Sequence, residues 1–478
     1  MPSEELNCLD TRLIAKNATA LGLSSLLAKS IAAVLGILVT RYLGPASNGD
    51  YSTAYAYVGT IILFAELGIS QLMVQEGSKN PKVLPQYFGN TLLVKTVLCV
   101  ICYLVMLIFM FPYNSTVKTM VLFAGIAVGF NAFNQSIYNY YQAVQKIYLA
   151  ALYQFLTSIL IAVFTIIVLV AGLGVVTITF AHLFGYSLTT LLLIWALRKE
   201  IRPKVELSSV TNMVVHGLPF GIHRIFYNIF TQFSILLLSW TATNEEVGIY
   251  AAAYKLILIL IFLPSMMTSA LYPVLYQLGD SDRSQHQGVI EKVFKALAAI
   301  GIAGSTLFFV LAGPLTEWLY DGKFNDSAPI LMIVCWFLAL ECMSFSLGDI
   351  LTTTGHQTQR TIVQGISLVL LAALILGLKP WLGGVYSASY GVILVEIFIF
   401  LAYYYLVRKN IYKIRLWRQL PSTLIASGVM ALTAWGMRGL HPLLSVTVAG
   451  LVFCLVIGVI DKDFRKIGQY IIKRVTKR

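Results

Sequence analysis

The feature that most constrains this chain is its succession of long apolar segments. A helix needs roughly 20 apolar residues to cross the hydrocarbon core of a bilayer. The sequence offers about fourteen such segments, at about 20–41, 51–72, 89–111, 118–138, 148–171, 175–197, 213–239, 248–277, 293–316, 328–349, 361–378, 384–407, 420–438 and 443–460. Of the 478 residues, 58% are hydrophobic and only 12% charged, with a mean hydropathy of +0.79. Soluble domains run at about 45–50% apolar and about 25% charged. A soluble core of this composition would leave apolar surface it could not cover. The expected fold is therefore an all-α integral membrane protein, because a helix satisfies its own backbone hydrogen bonds in lipid.

The formal net charge is +13. Most of the basic residues fall in short connections and in the C-terminal tail, which is the pattern of membrane topology rather than of nucleic-acid binding. With the N-terminus placed in the cytoplasm, the outer connections keep only Arg41, Lys118, Lys323, Lys379 and Arg438, and otherwise carry acids such as Glu245, Glu246 and Glu317. Lys and Arg cluster on the inner side, as at Arg198–Lys204 and Arg408–Arg418. Both termini are expected to be cytoplasmic, which an even number of spans satisfies. The first apolar run is too long for the core of a cleaved leader and reads as a retained span. The six cysteines suggest no disulfide framework, and Cys99 and Cys102 fall inside an apolar segment, where packing is the plainer role.

A repeat is visible. Gly49-Asp-Tyr51-Ser-Thr-Ala54-Tyr55 and Gly248-Ile-Tyr250-Ala-Ala-Ala253-Tyr254 both read GxYxxAY at the outer end of a segment. Six spans separate them, so the copies share one orientation. That predicts two pseudo-symmetric six-helix lobes around a central cavity, 1–206 and 207–410, followed by two further helices and a basic cytoplasmic tail in 411–478. Gly384-Val-Tyr386-Ser-Ala-Ser389-Tyr390 nearly fits the same motif.

Ionisable residues inside the apolar segments bear on function, since a charge at the centre of a spanning helix costs at least about 2.5–3.5 kcal/mol. The basic ones are Lys29, Lys95, Arg224, Lys255 and Lys295; the acids are Glu66, Glu341 and Glu396. Lys95 and Lys295 lie close enough to a cytoplasmic end to snorkel into the interface. Lys29 and Arg224 are near the middle of their segments and Lys255 is intermediate, so these three are expected to line a cavity. The acids are candidates for ion coupling; pairing with the cations is the alternative. Segment 118–138 and its continuation carry Asn131, Asn134, Gln135, Tyr138 and Gln142 at spacings of three and four, which places them along one face. Such groups suit a sugar ligand and suit interhelical packing equally well. His216 and His223 are open to either proton transfer or packing. No nucleotide-binding loop and no metal-ligand spacing is present, and the short outer connections leave little room for chemistry, so neither an enzyme nor a resident metal or cofactor is expected.

Several stretches resemble a family. Arg41-Tyr-Leu-Gly44-Pro45-Ala-Ser-Asn-Gly49-Asp-Tyr51, Ala65-Glu-Leu-Gly68-Ile-Ser, Gly217-Leu-Pro219-Phe220 and Glu246-Val-Gly248-Ile-Tyr250-Ala-Ala-Ala253-Tyr254-Lys255 are similar, in order and spacing, to the O-antigen-type polysaccharide flippases of the multidrug/oligosaccharidyl-lipid/polysaccharide exporter superfamily. The resemblance implies a cavity open to one side at a time and export of a polyprenyl-diphosphate-linked oligosaccharide across the cytoplasmic membrane. It implies cationic cavity residues at Lys29 and Lys255. With Arg224, whose place in mid-segment adds it, these are the expected diphosphate-binding residues; membrane lipid and polysaccharide-assembly proteins are the candidate partners, and a proton or sodium gradient is the candidate driving force. The acid of the second segment is often Asp in the family and is Glu66 here. Two other readings are an ion-coupled antiporter of small cations from the same superfamily and a membrane-embedded glycan polymerase or ligase.

Overall fold

The computed structural model describes residues 3–198, 200–414 and 416–466, with side chains from residue 26 onward except at 79, 219, 220, 223, 224, 265, 269, 270, 273, 280 and 281. The basic tail from 467 therefore lies outside the described residues, as does the side chain of Arg224.

Among the described residues fourteen helical stretches follow one another, the first of them bent, with no strand. They are α1 (Ser3–Ile62), α2 (Ile69–Lys79), α3 (Leu84–Phe109), α4 (Ser115–Ala143), α5 (Ile147–Val170), α6 (Val175–Leu197), α7 (Leu207–Thr241), α8 (Asn244–Ser281), α9 (Arg283–Tyr320), α10 (Ser327–Thr353), α11 (Gln357–Leu382), α12 (Gly384–Asn410), α13 (Pro421–Gly436) and α14 (Pro442–Ile460). The chain is a multi-pass membrane protein: eleven stretches among the described residues are long and apolar enough to span. Three places account for the difference from the segments expected by hydropathy. The first two segments run together as Leu26–Ala65; in α7 only Ile225–Thr241 qualifies as a shorter apolar helix; and α13 is 16 residues long.

The run from Ser3 to Ile62 is two helices joined at Gly44, whose φ of 74° and ψ of 174° interrupt the helix. Only glycine takes such a conformation without steric cost, and Pro45 directly after it can start the next helix because its missing N–H would be unpaired there anyway. A second break follows at 63–68, where a short 3-10 turn leads to Leu67 and Gly68, both with positive φ (37° and 75°). Elsewhere, side chains cap the starts. Asn114 accepts from the backbone N–H of Val117 at 2.8 Å and opens α4, and Asp282 accepts from Ser284 and Gln285 to open α9.

The chain forms two compact units, Met1–Gly248 and Ile249–Arg478. In the first, α4 packs against α6, α1 and α3, and α1 also packs along α5. Its core contains Tyr57, Met106, Met120 and Val121, all buried. In the second, α10 is the central helix, packed on α9 and α12, while α13 and α14 lie against each other and against α9. Ser305 of α9 stitches that contact: its hydroxyl donates to the Cys335 carbonyl at 2.6 Å and accepts from the Ala339 N–H at 3.1 Å. Many side chains facing outward are large and apolar, for example Val170, Leu191 and Trp195 in α5 and α6. Lipid, not water, is the solvent such a surface requires.

The two full copies of the repeat share a feature absent from the near-copy. Tyr51 and Tyr55 have ring centroids 4.5 Å apart, and Tyr250 and Tyr254 stack at 5.5 Å. Tyr386 and Tyr390 both stand exposed on α12, so the third occurrence is a coincidence of composition.

Candidate functional site

The bend at Gly44 brings both halves of α1 to one cavity. Lys29 reaches it from the first half and Tyr51 from the second. Asn131, Gln135 and Tyr138 enter from α4, Gln154, Thr157 and Ser158 from α5, and His182 and Tyr186 from α6. The cavity holds about 360 Å³, within the range of about 300–1,000 Å³ usual for ligand sites. Among the described residues that line it there is no carboxylate, and Lys29, with an exposed side chain, brings a formal cation there. Cations inside a membrane protein mark such pathways.

The aromatic wall is organised by hydrogen bonds. Tyr55 O–H is paired with His182 Nδ1, and the His182 ring lies edge-on to Tyr55 at 5.2 Å and 6.5 Å from both Tyr51 and Tyr186. Tyr138 and Thr157 hydroxyls are 2.7 Å apart, which ties α4 to α5. Rings with polar tips beside amides and hydroxyls offer an apolar face and several donors and acceptors at once.

Of the α4 residues expected on one polar face, Asn131, Gln135 and Tyr138 line this cavity, whereas Asn134 and Gln142 do not. Asn134 is fully buried against α6, donating to the Tyr186 carbonyl at 3.2 Å and accepting from Thr190 Oγ1 at 2.7 Å. A spacing of three carries it round the helix, from the cavity wall into the helix–helix seam.

Lys95 corrects the snorkelling expectation. Its side chain is only 2% exposed, and its ammonium lies 2.7 Å from Glu66. It also donates to Ser70 at 3.1 Å, to the Ala132 carbonyl at 3.0 Å and to Ser136 at 2.7 Å. Those four partners satisfy the cation more completely than the interface could, so it turns inward. Glu66 is held there by the broken helix at 63–68. A smaller cavity of about 150 Å³ adjoins it, lined by Glu66, Gln71, Asn131, Gln135, Gly221 and Ile225 among others. Gly221 allows α7 to pass directly over Leu67, where a Cβ would come within 2.6 Å of the Leu67 carbonyl carbon. Asn131 and Gln135 thus border both cavities.

The sequence matches, over residues 14–278, the family model described as polysaccharide biosynthesis protein. The chain belongs to that family. Its fold is similar to that of a structure described as the lipid II flippase MurJ in an inward closed conformation, with a TM-score of 0.77, 13% identity, and coverage of 93% of this chain and 99% of that one. An inward-facing multidrug-resistance MATE family transporter of the MOP superfamily gives a TM-score of 0.66, at 17% identity over 80% of this chain and 95% of that one. A MOP superfamily transporter from Pyrococcus furiosus, described as having a binding pocket of reverse polarity, gives a TM-score of 0.59, at 16% identity over 83% of this chain and 95% of that one. No curated protein matches the sequence.

The family's match spans the Lys29 cavity; the side chain of Arg224 is outside the described residues. Lys255, partly buried on α8, belongs to the second unit. So do Glu341 of α10 and Glu396 of α12, 7% and 0% exposed, which lie beside each other with Ser344. In the same unit Asp349 accepts from Tyr272 O–H at 2.7 Å and lies 3.5 Å from Arg360, which donates to Thr352 at 2.8 Å. Lys295 lies more than three turns inside α9 and is paired, 2.6 Å from Asp461 and 2.7 Å from Asp463. His216 bonds back to the Asn212 carbonyl of its own helix at 2.8 Å, a local contact.

His182, Tyr186, Gln154 and Ser158 are cavity residues that the sequence reasoning misses. Their signal is present: polar residues four apart within otherwise apolar helices, 154 with 158 and 182 with 186.

Proposed function

We propose that this protein is a flippase that moves a polyprenyl-diphosphate-linked oligosaccharide, an O-antigen or other polysaccharide repeat unit, from the inner to the outer leaflet of the cytoplasmic membrane. The observation that carries the reading is the Lys29 cavity, a space among apolar helices whose described lining offers a cation, amides, hydroxyls and tyrosines. A diphosphate and its sugars cannot cross hydrocarbon unaided, and a polar, cationic cavity lowers that cost while the polyprenyl tail stays in lipid. The family's description as polysaccharide biosynthesis proteins supports the substrate class. The fold shared with a lipid II flippase supports the transport step.

In this reading Lys29 binds the diphosphate, Arg224 and Lys255 are further phosphate-binding cations, and Asn131, Gln135 and Tyr138 contact sugar. Lobes 1–206 and 207–410 work by alternating access, with helices and tail in 411–478 and both termini in the cytoplasm. A proton or sodium gradient drives the cycle through Glu66, Glu341 or Glu396, and no bond in the substrate is made or broken. A small cationic drug would instead call for acids in the cavity.

The test is leaflet exchange of a purified polyprenyl-diphosphate oligosaccharide in proteoliposomes, with wild type beside Lys29→Ala. Protein-dependent exchange lost in the variant is the expected result. No exchange under either ion gradient, with transport of a cationic dye instead, would replace this reading with the antiporter.

A further inference from the structure

The first unit holds a second large space of opposite chemistry. It measures about 440 Å³ and lies where α4 packs between α3 and α6. Phe88, Leu92, Phe130, Phe133, Ile137 and Ile194 form its wall. Among its lining residues only Thr190 and Arg198 carry polar side chains, and the Thr190 hydroxyl is already engaged with Asn134 and with the Tyr186 carbonyl at 2.7 and 2.8 Å. What remains is an apolar chamber with one guanidinium at its rim.

The chamber is built rather than left over. The connector after α6 closes part of it, supplying Ile201 and Pro203. That connector is pinned across the start of α3. Asn90 donates to the Glu206 carbonyl at 3.1 Å and accepts from the Glu206 N–H at 2.9 Å, and the Lys204 N–H donates to the Pro85 carbonyl at 3.0 Å. Gly89 permits the crossing, since a Cβ there would meet the Lys204 carbonyl oxygen at 2.3 Å. The mouth is marked by exposure at Ile194, Arg198 and Pro203. Arg198 sits over the Trp195 ring at 5.0 Å, and Arg202 and Lys204 stand exposed just beyond it. The nearby acid Glu200 is taken up by Lys146 at 2.8 Å.

An apolar chamber opening beneath a basic rim, at the end of a spanning helix, is complementary to one kind of molecule: apolar tail below, anionic head above. We propose that this cavity takes an acyl chain of an anionic phospholipid, with Arg198 holding its phosphate. Basic pockets at the ends of spanning helices recognise anionic head groups in this way. The bound chain fills the space between α3 and α6 and braces both against α4. Arg198 is the C-cap of α6, the end of a candidate span, and a phosphate held there belongs to a lipid resident in one leaflet. The proposal rests on membrane embedding and does not depend on what the protein carries.

The experiment uses the delipidated full-length protein in detergent, titrated with dioleoyl phosphatidylglycerol or dioleoyl phosphatidylcholine, with bound lipid counted by native mass spectrometry. Wild type is expected to prefer phosphatidylglycerol. Arg198→Gln, at an exposed position, should weaken phosphatidylglycerol binding about fivefold and remove the preference. Leu92→Trp, which fills the chamber, should weaken both lipids. Equal binding of the two lipids by wild type, or an Arg198→Gln variant that keeps the preference, overturns the proposal. So would a polyprenyl diphosphate that displaces phosphatidylglycerol from wild type and loses its own binding in both variants, because the chamber would then hold the transported lipid's tail.

Discussion

Gly49 and Gly248, the leading glycines of the two sequence repeats, lie against each other inside the first unit. A Cβ on Gly248 would stand 2.9 Å from the Gly49 nitrogen and 1.8 Å from the Pro45 carbonyl oxygen; one on Gly49 would stand 1.7 Å from the Asn244 carbonyl oxygen. Asn48 secures the approach by donating to the Gly248 carbonyl at 2.9 Å, and Asp50 accepts from Asn244 at 2.7 Å. The repeat thus carries a packing requirement in its first position as well as a tyrosine pair in its third and seventh.

Gly49→Ala and Gly248→Ala should each lower the thermal unfolding midpoint, because a methyl group would have to displace a backbone carbonyl. Gly59 is the control: it lies in the same α1, and a Cβ added there would meet nothing within 4 Å. There alanine should be neutral or stabilising by up to about 1 kcal/mol, the helix-propensity difference. Thermal melts of the three variants in one detergent decide it, and equal behaviour at 49 and 59 would refute the steric account.

Much of this architecture can be read from the amino acids. Apolar segment length marks the helices, and the GxYxxAY repeat marks two places of equivalent local packing. Position within a helix is harder. Asn134 and Gln135 are neighbours with nearly the same chemistry, yet one faces a helix seam and the other a cavity. A stripe at spacings of three and four is too wide to tell those faces apart. Lys95 escapes for a related reason: hydropathy sees distance to a helix end, and cannot see Glu66, Ser70 and Ser136 arriving from other segments.

That contrast on α4 makes a prediction. Gln135→Ala should reduce oligosaccharide export several-fold while the protein accumulates normally, and Lys29→Ala should do the same more severely. Asn134→Ala should instead lower the amount of folded protein, because α4 loses its hydrogen bonds to Thr190 and the Tyr186 carbonyl, each contributing about 0.5–1.5 kcal/mol. Export per folded molecule, from surface polysaccharide and protein level measured together, separates the two behaviours. Gln135→Ala with unchanged export would remove that side chain from the substrate path.

The Lys95–Glu66 pair should behave as a unit. Removing one partner of a buried pair leaves the other charge uncompensated and costs about 3–5 kcal/mol. Lys95→Met is therefore expected to be strongly destabilised, and Lys95→Met with Glu66→Gln to be more stable than Lys95→Met alone. A double-mutant cycle from unfolding midpoints should show coupling of more than about 1 kcal/mol. Additive losses would mean that Ser70, Ser136 and the Ala132 carbonyl hold Lys95 without help from the acid.

The last prediction concerns the C-terminal helices and carries a pH dependence. Asp461, just after α14, is 7% exposed and lies 2.6 Å from Lys295 of α9, with Ser422 in the first turn of α13 donating to it at 2.7 Å. Burial works to raise its pKa, but the hydrogen bonds from Lys295, Ser422 and the Asp463 backbone outweigh it and hold the carboxyl below its ordinary value. A group depressed on folding adds stability above its unfolded pKa, about 4 for Asp, and that contribution is lost as pH falls through the folded value. Asp461→Asn should therefore exchange amide hydrogens in α13 and α14 faster than wild type at pH 7. The gap, after correction for intrinsic exchange rates, should narrow once the pH drops below about 4 and close as the pH falls through the lower folded value, where the wild-type carboxyl is protonated too. A gap that persists at low pH would assign the difference to lost packing and not to the charge on Asp461.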